Sequence, residues 1–205
     1  MDYSILLKNI AKHISLTAAE EKIFIALLKE KKIRKKQFYL RENEVCLHSA
    51  FVTKGCLRGY TVDENGFEHI LQFAPPDWWI ADMYSLITQK PGNLNIDAID
   101  DSEILLLSRK DQEKLFIVVP KFERFFRIIT ENSLVTSRQR LIDNMSLIAQ
   151  QRYAAFCTQY PTLIECLPQK MIASYIGVTP EFLSKVKAEH FRNKGKRQTV
   201  IQHDV

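Results

Sequence analysis

The chain has 205 residues, 46% of them hydrophobic and 26% charged, with a formal net charge of +5. That balance describes a globular chain with room for one large or two small domains, and it excludes a disordered tail. No apolar run reaches the roughly 18 residues of a bilayer crossing. The opening "MDYSILLKNIAKHISLTAAEEK" mixes charges with apolar residues at helical spacing, unlike a signal peptide, so a soluble cytoplasmic protein is expected.

Residues 3–32 are expected to be helical, with Thr17 as N-cap and Glu20 as its capping-box partner. The character changes near residue 33. Runs of β-branched and aromatic residues alternate with the turn signals "KG" (54–55), "DENG" (63–66) and "PPD" (75–77). "CLRGYTVDENGFEHILQF" predicts a β-hairpin, and further strands are expected at 94–99 and 103–108. Six to eight short strands imply a small antiparallel barrel or jelly roll. Trp78 and Trp79 are taken as structural, one ring capping the roll and the other covering a domain seam. From about 110 the period returns to 3.6. A long helix is predicted over 121–145, opened by Pro120, with Phe122, Phe126, Ile129, Leu134 and Leu141 on related faces. Its length suits pairing with a second copy. Several short helices should follow over 146–190.

The charge is unevenly spread. From residue 146 onward 8 Lys/Arg stand against 4 Asp/Glu, while residues 1–145 hold 21 against 20. The excess is densest in "KVKAEHFRNKGKR" (185–197) and points to an anionic partner for the C-terminal part. Cys46, Cys56, Cys157 and Cys166 make no CxxC pair, and the five histidines no HExxH. Four buried thiols and no metal or cofactor are therefore expected. No nucleophile–base constellation stands out, so an enzyme is not expected.

"QKMIASYIGVTPEFLSKV" (169–186) carries the sharpest signal. Ile172, Ala173 and Ile176 share one helical face, and Gly177 falls where a turn between two helices needs positive φ. Thr179-Pro180-Glu181 supplies an N-cap hydroxyl, a proline at the first helical position and an acid in the first turn. Leu183 and Val186 then anchor a second helix. This is the pattern of a helix-turn-helix, whose second helix enters the DNA major groove.

With the N-terminal helix, the roll and the long helix, this motif resembles the Crp–Fnr superfamily of bacterial transcription regulators, over about residues 17–195. "LRENE" (40–44), "VTKGCLRGY" (52–60), "DENGFEHILQFAPPDWW" (63–79) and "DAIDDSEILLLSRKD" (97–111) follow that family's strand-and-turn order. "QQRYAAFCTQYPTLIECLPQKMIASYIGVTPEFLSKVK" is similar to variants common in Bacteroidetes. The resemblance implies an α+β chain. Its expected parts are a cyclic-nucleotide-binding-like jelly roll with N-terminal helices (1–120), a dimerisation helix (121–145) and a helix-turn-helix domain with a reduced wing (146–205).

It also implies a homodimer on a roughly palindromic double-stranded DNA operator, with RNA polymerase as a candidate partner. Lys185 and Glu181 would meet base edges. Thr179, Ser184, Gln169 and Lys170 would meet phosphates, while Lys187, Arg192, Lys194, Lys196 and Arg197 would add diffuse attraction. In nucleotide-binding members of the family a cassette reads F-G-E-L, then about eight residues, then R-[ST]-A. Its Glu takes the ribose 2′-OH and its Arg the cyclic phosphate. Here Ile80-Ala81-Asp82, followed by Met83, stands at the first part and Gly92-Asn93-Leu94 at the second. Thr136 and Ser137 resemble the dimer-helix contact to the base. The pocket thus carried over is Ile80, Asp82, Met83, Gly92, Asn93, Thr136 and Ser137. Without its Arg it is not expected to bind cyclic AMP or GMP, leaving another small-molecule effector, protein contact or a constitutive scaffold.

Overall fold

The computed structural model describes residues 2–189. The chain forms two compact units, one up to Ser133 and one from Leu134 onward. In the first, α1 (Ser4–Ala11) and α2 (Ala18–Ala26) precede the strands β1 (Lys29–Ile33), β2 (Phe38–Leu40), β3 (His48–Lys54), β4 (Leu57–Val62), β5 (Glu68–Ala74) and β6 (Trp79–Ile80). A short helix, α3 (Met83–Thr88), leads to β7 (Asn95–Ala98) and β8 (Ser102–Ser108), and α4 (Arg109–Val118) follows. The long α5 (Lys121–Ser146) begins in the first unit and ends in the second. The second unit adds α6 (Ala149–Gln159), α7 (Gln169–Ile176) and a last helix, α8, over residues 180–189.

The strands make two antiparallel four-stranded sheets, ordered β1-β8-β3-β6 and β2-β7-β4-β5. The roll is therefore a jelly-roll-like antiparallel structure within an α+β chain. The period-2 rule explains the uninterrupted apolar run of β8. Ile104 and Leu106 join the cluster between the sheets, with Ala50, Val52, Leu57, Ile80 and Ile96. Leu105 and Leu107 face the helical layer instead, with Leu6, Ile10, Phe24, Leu115 and Phe122. A strand buried on both faces has no polar positions to alternate.

Thr17 caps α2 as the sequence suggests, its hydroxyl accepting from Glu20 N and the Glu20 carboxylate accepting from Thr17 N. The helix predicted to residue 32 ends earlier, however. "KEKKI" is β1, paired along its length with β8 from Lys29↔Leu106 to Ile33↔Ser102. Its residues are good helix formers, and tertiary pairing overrides that preference. At the sheet edge the charged side chains also discourage pairing with another chain.

The long helix needs a second correction. Phe122, Phe125 and Phe126 are buried, with ring centroids of Phe24 and Phe122 4.6 Å apart and of Phe125 and Phe126 5.1 Å apart. Leu134 and Leu141 are not on that face; they are 53% and 61% exposed. At 3.6 residues per turn, Leu134 lies about a third of a turn round the helix from Phe122. Both tryptophans pack in the first unit. Trp78 lies against the inter-sheet cluster, and the Trp79 ring sits 5.2 Å from Phe51 and 5.6 Å from Phe126.

Two of the four cysteines also differ from expectation. Cys46 and Cys56 are buried, but Cys157 is half-buried and Cys166 is exposed. Cys166 sits in the turns that join α6 to α7, where the backbone runs at the surface.

One polar cluster lies inside the second sheet, and the sequence reading did not find it. The buried Arg58 on β4 grips Asp97 on β7 with Nε at 2.8 Å and Nη2 at 3.0 Å, and reaches Glu68 on β5 with Nη1 at 2.6 Å. Its guanidinium also lies 4.2 Å over the Tyr60 ring. A charged residue within the otherwise uncharged strand "CLRGYTV" was the available signal.

Candidate functional site

In the second unit, α7 buries Ile172, Ala173, Tyr175 and Ile176. It ends at Gly177, with φ 70° and ψ 47°. Gly177 N donates to Ser174 O and Val178 N to Ala173 O, which closes the last turn in a Schellman arrangement. A Cβ at Gly177 would meet nothing within 4 Å, so the glycine is there for its dihedrals and not for space. Gly177→Ala is expected to cost about 1 kcal/mol in urea unfolding through left-handed strain, and Gly177→Asn less.

Thr179 then starts α8. Its hydroxyl accepts from Phe182 N at 3.2 Å, and Pro180 takes the first helical position. Leu183 and Val186 are buried, which fixes the face that α8 turns inward. Glu181, Phe182, Ser184 and Lys185 are left exposed, and Lys187 is half-buried. Glu181 and Lys185, four apart, share one face.

The geometry brings two of the expected phosphate contacts together. Ser184 Oγ lies 3.0 Å from Gln169 Oε1 and 3.1 Å from the Pro180 carbonyl, so α8 is stitched to the start of α7. Lys170, beside Gln169, is exposed. Phe182, 45% exposed on the same helix, was not anticipated. Its signal was an aromatic residue off the 183/186 anchoring line. Arg192, Lys194, Lys196, Arg197 and the reduced wing lie outside the described residues.

In the first unit, the cassette region is closed on itself. Asp82 is buried and caps α3, its Oδ1 accepting from Ser85 N at 3.0 Å. The Ser85 hydroxyl accepts from Cys46 N at 2.8 Å and donates to the Lys90 carbonyl at 2.6 Å. Gly92 is held from both sides by the loop after β2, with Asn43 N donating to Gly92 O at 2.7 Å and Gly92 N to Glu44 O at 3.2 Å. A Cβ added to Gly92 would overlap Asp82 Oδ2 and lie 2.8 Å from Asp82 Cγ. The aspartate carboxylate therefore fills the volume that a side chain at 92 would need. Ile80 belongs to the inter-sheet cluster, while Met83 and Asn93 are exposed. Thr136 and Ser137 are exposed residues of α5 in the second unit.

Among the described residues no helix is long and apolar enough to cross a membrane. No group of three or more His, Cys, Asp or Glu among them is placed to hold a metal ion.

Residues 30–117 match the family of the cyclic nucleotide-binding domain. No curated protein matches the sequence significantly. Among solved structures, FixK2 from Bradyrhizobium japonicum is similar over 82% of this chain and 86% of its own, with TM-score 0.70 and 20% identity. CLP, the c-di-GMP responsive global regulator of Xanthomonas campestris, matches over 87% and 93%, with TM-score 0.67 and 13% identity. A candidate transcriptional regulator of the crp/fnr family from Eubacterium rectale matches over 88% and 85%, with TM-score 0.66 and 15% identity. Residues 30–117 are thus similar to a cyclic nucleotide-binding domain, and over most of its length the chain has the fold of these solved structures.

Proposed function

We propose that this chain, a cyclic-nucleotide-binding-type roll followed by a helix-turn-helix, is a sequence-specific DNA-binding transcription regulator that acts as a homodimer without a cyclic nucleotide in its roll. The observation that carries the reading is α8. It is capped by Thr179, anchored by Leu183 and Val186, and exposes Glu181, Phe182, Ser184 and Lys185 along its first turns. Those side chains suit a major groove: Lys185 for guanine O6/N7, Glu181 for cytosine N4 and Phe182 for a thymine methyl. Gln169 and Lys170 at the start of α7 suit phosphates, and Lys187 adds nonspecific attraction.

The dimer reading rests on α5. Leu134, Val135, Leu141, Ile142 and Met145 are all exposed, and Leu134/Leu141 and Val135/Ile142 each recur at seven residues. An apolar stripe of that spacing suits a second copy of the same helix. Two copies of α8 in successive major grooves would read half-sites about 34 Å apart. Against nucleotide binding stand the absent arginine at Gly92, the Asp82 carboxylate beside it and the Gly92 backbone engaged with Asn43 and Glu44.

Selection of bound duplexes from random DNA tests the reading. Inverted repeats with half-site centres about one helical turn apart are expected. Enrichment of no sequence over the starting pool would refute it.

A further inference from the structure

The second unit holds a cavity of about 320 Å³ between the C-terminal half of α5, α6 and α7. Two guanidinium groups line it. Arg140 lies 3.9 Å over the Tyr175 ring and donates through Nη2 to the Tyr175 carbonyl at 2.7 Å. Arg152 donates through Nη1 to Asn144 O at 3.1 Å, while its Nε is buried and has no hydrogen-bond partner among the described residues. The one carboxylate in the lining is Asp143, and its Oδ1 accepts from Gln139 Nε2 at 2.8 Å. The lining therefore carries two positive charges against one negative.

A buried guanidinium N–H with no acceptor is costly, and an anion that supplies the acceptor removes the cost. Desolvation by the surrounding protein also pushes the Arg140 guanidinium below its ordinary pKa. The rest of the wall mixes the polar side chains of Thr136, Gln139, Asn144 and Gln159 with an apolar and aromatic part in which Phe156, Tyr175 and Ile176 are buried. The volume lies at the small end of ligand pockets.

We propose that this cavity is an effector site for a small organic monoanion, a carboxylate carried on a ring. The carboxylate would sit against Arg152 and Arg140, and the ring against Phe156 and Tyr175. The net charge of the lining sets one negative charge on the ligand, and guanidinium forks favour a planar carboxylate. The site reaches the DNA-facing helix by a short route. The Tyr175 carbonyl that Arg140 holds lies two residues before Gly177, in the turn that aims α8. An anion that draws on Arg140 changes the hold on that turn. The effector role rests on the DNA-binding reading; the ligand site does not.

Calorimetric titration of the full chain with benzoate, benzamide and inorganic phosphate, in the absence of DNA, tests the site. Saturable binding of benzoate is expected, with benzamide and phosphate each weaker by about tenfold or more. Arg152→Gln removes the charge, and Ala155→Phe fills the cavity from its exposed wall without touching a charge; each is expected to weaken benzoate by about tenfold or more. No saturable benzoate binding, equal binding of phosphate, or binding unchanged by both substitutions would overturn the site. A second titration measures the affinity of the protein for its selected operator with and without benzoate, and a change of about fivefold or more is expected. Benzoate binding with unchanged operator affinity would overturn the effector role. Failure of the wild type to bind any operator would instead sink the proposed function.

Discussion

Lys185→Glu is expected to abolish sequence-specific binding while leaving the fold intact. Lys185 is exposed on α8, and the residues that hold the helix in place, Leu183 and Val186, are on its other side. Thermal unfolding should therefore shift little. A good contact to one base pair is worth about 1–3 kcal/mol of discrimination, and a two-fold complex loses it twice. The expected loss is about 2–6 kcal/mol, roughly 30-fold to more than 1,000-fold in operator affinity, with further weakening from reversed charge near phosphates. Lys187→Glu should differ in kind: Lys187 is half-buried, and its loss should weaken specific and nonspecific DNA alike and flatten the salt dependence. Fluorescence anisotropy with operator and scrambled duplexes separates the two. Equal loss on both duplexes for Lys185→Glu would assign it a phosphate role instead.

Gly92→Arg is expected to destabilise the roll and to restore no binding of cyclic AMP. The position needs no special dihedral, so the cost is steric. Even the first side-chain carbon would displace Asp82, which would then give up its bond to Ser85 N and lose the cap of α3. Overpacking plus a lost cap comes to about 3 kcal/mol or somewhat more. A double-mutant cycle isolates the cause. Gly92→Ala should cost clearly less in an Asp82→Ala background than in the wild type, because the atom it meets has gone. Additive costs in urea unfolding would contradict the overlap, and saturable binding of cyclic AMP to Gly92→Arg would contradict the closed cassette.

Local chemistry made much of this molecule legible in its sequence. The β4–β5 hairpin, the Thr17 cap, Gly177 and the Thr179-Pro180 helix start each depend on neighbours within a few residues, and all appear where their residue types imply. Features settled by distant partners were not legible. "KEKKI" becomes a strand because β8, some 70 residues on, supplies its hydrogen bonds. Leu134 and Leu141 continue the apolar count of the long helix but leave its buried face, since twelve residues at 3.6 per turn carry Leu134 about a third of a turn from Phe122. Within the cassette, the loss of an arginine at 92 was visible, but the direction of the Asp82 carboxylate was not. That direction depends on Ser85 and on the space left by glycine. The pairing of Arg58 with Asp97 and Glu68, and the meeting of Arg140 and Arg152 at one cavity, join residues that no spacing rule connects.

The proposed regulator recognises DNA as a two-fold reader through α8 without a cyclic nucleotide. Titration of the full chain onto its selected inverted repeat, with and without saturating cyclic AMP, tests it most directly. The expected result is two chains per duplex, strong preference over a scrambled duplex and the same affinity with and without the nucleotide. Binding that appears only with cyclic AMP, or no preference for the repeat, would contradict it.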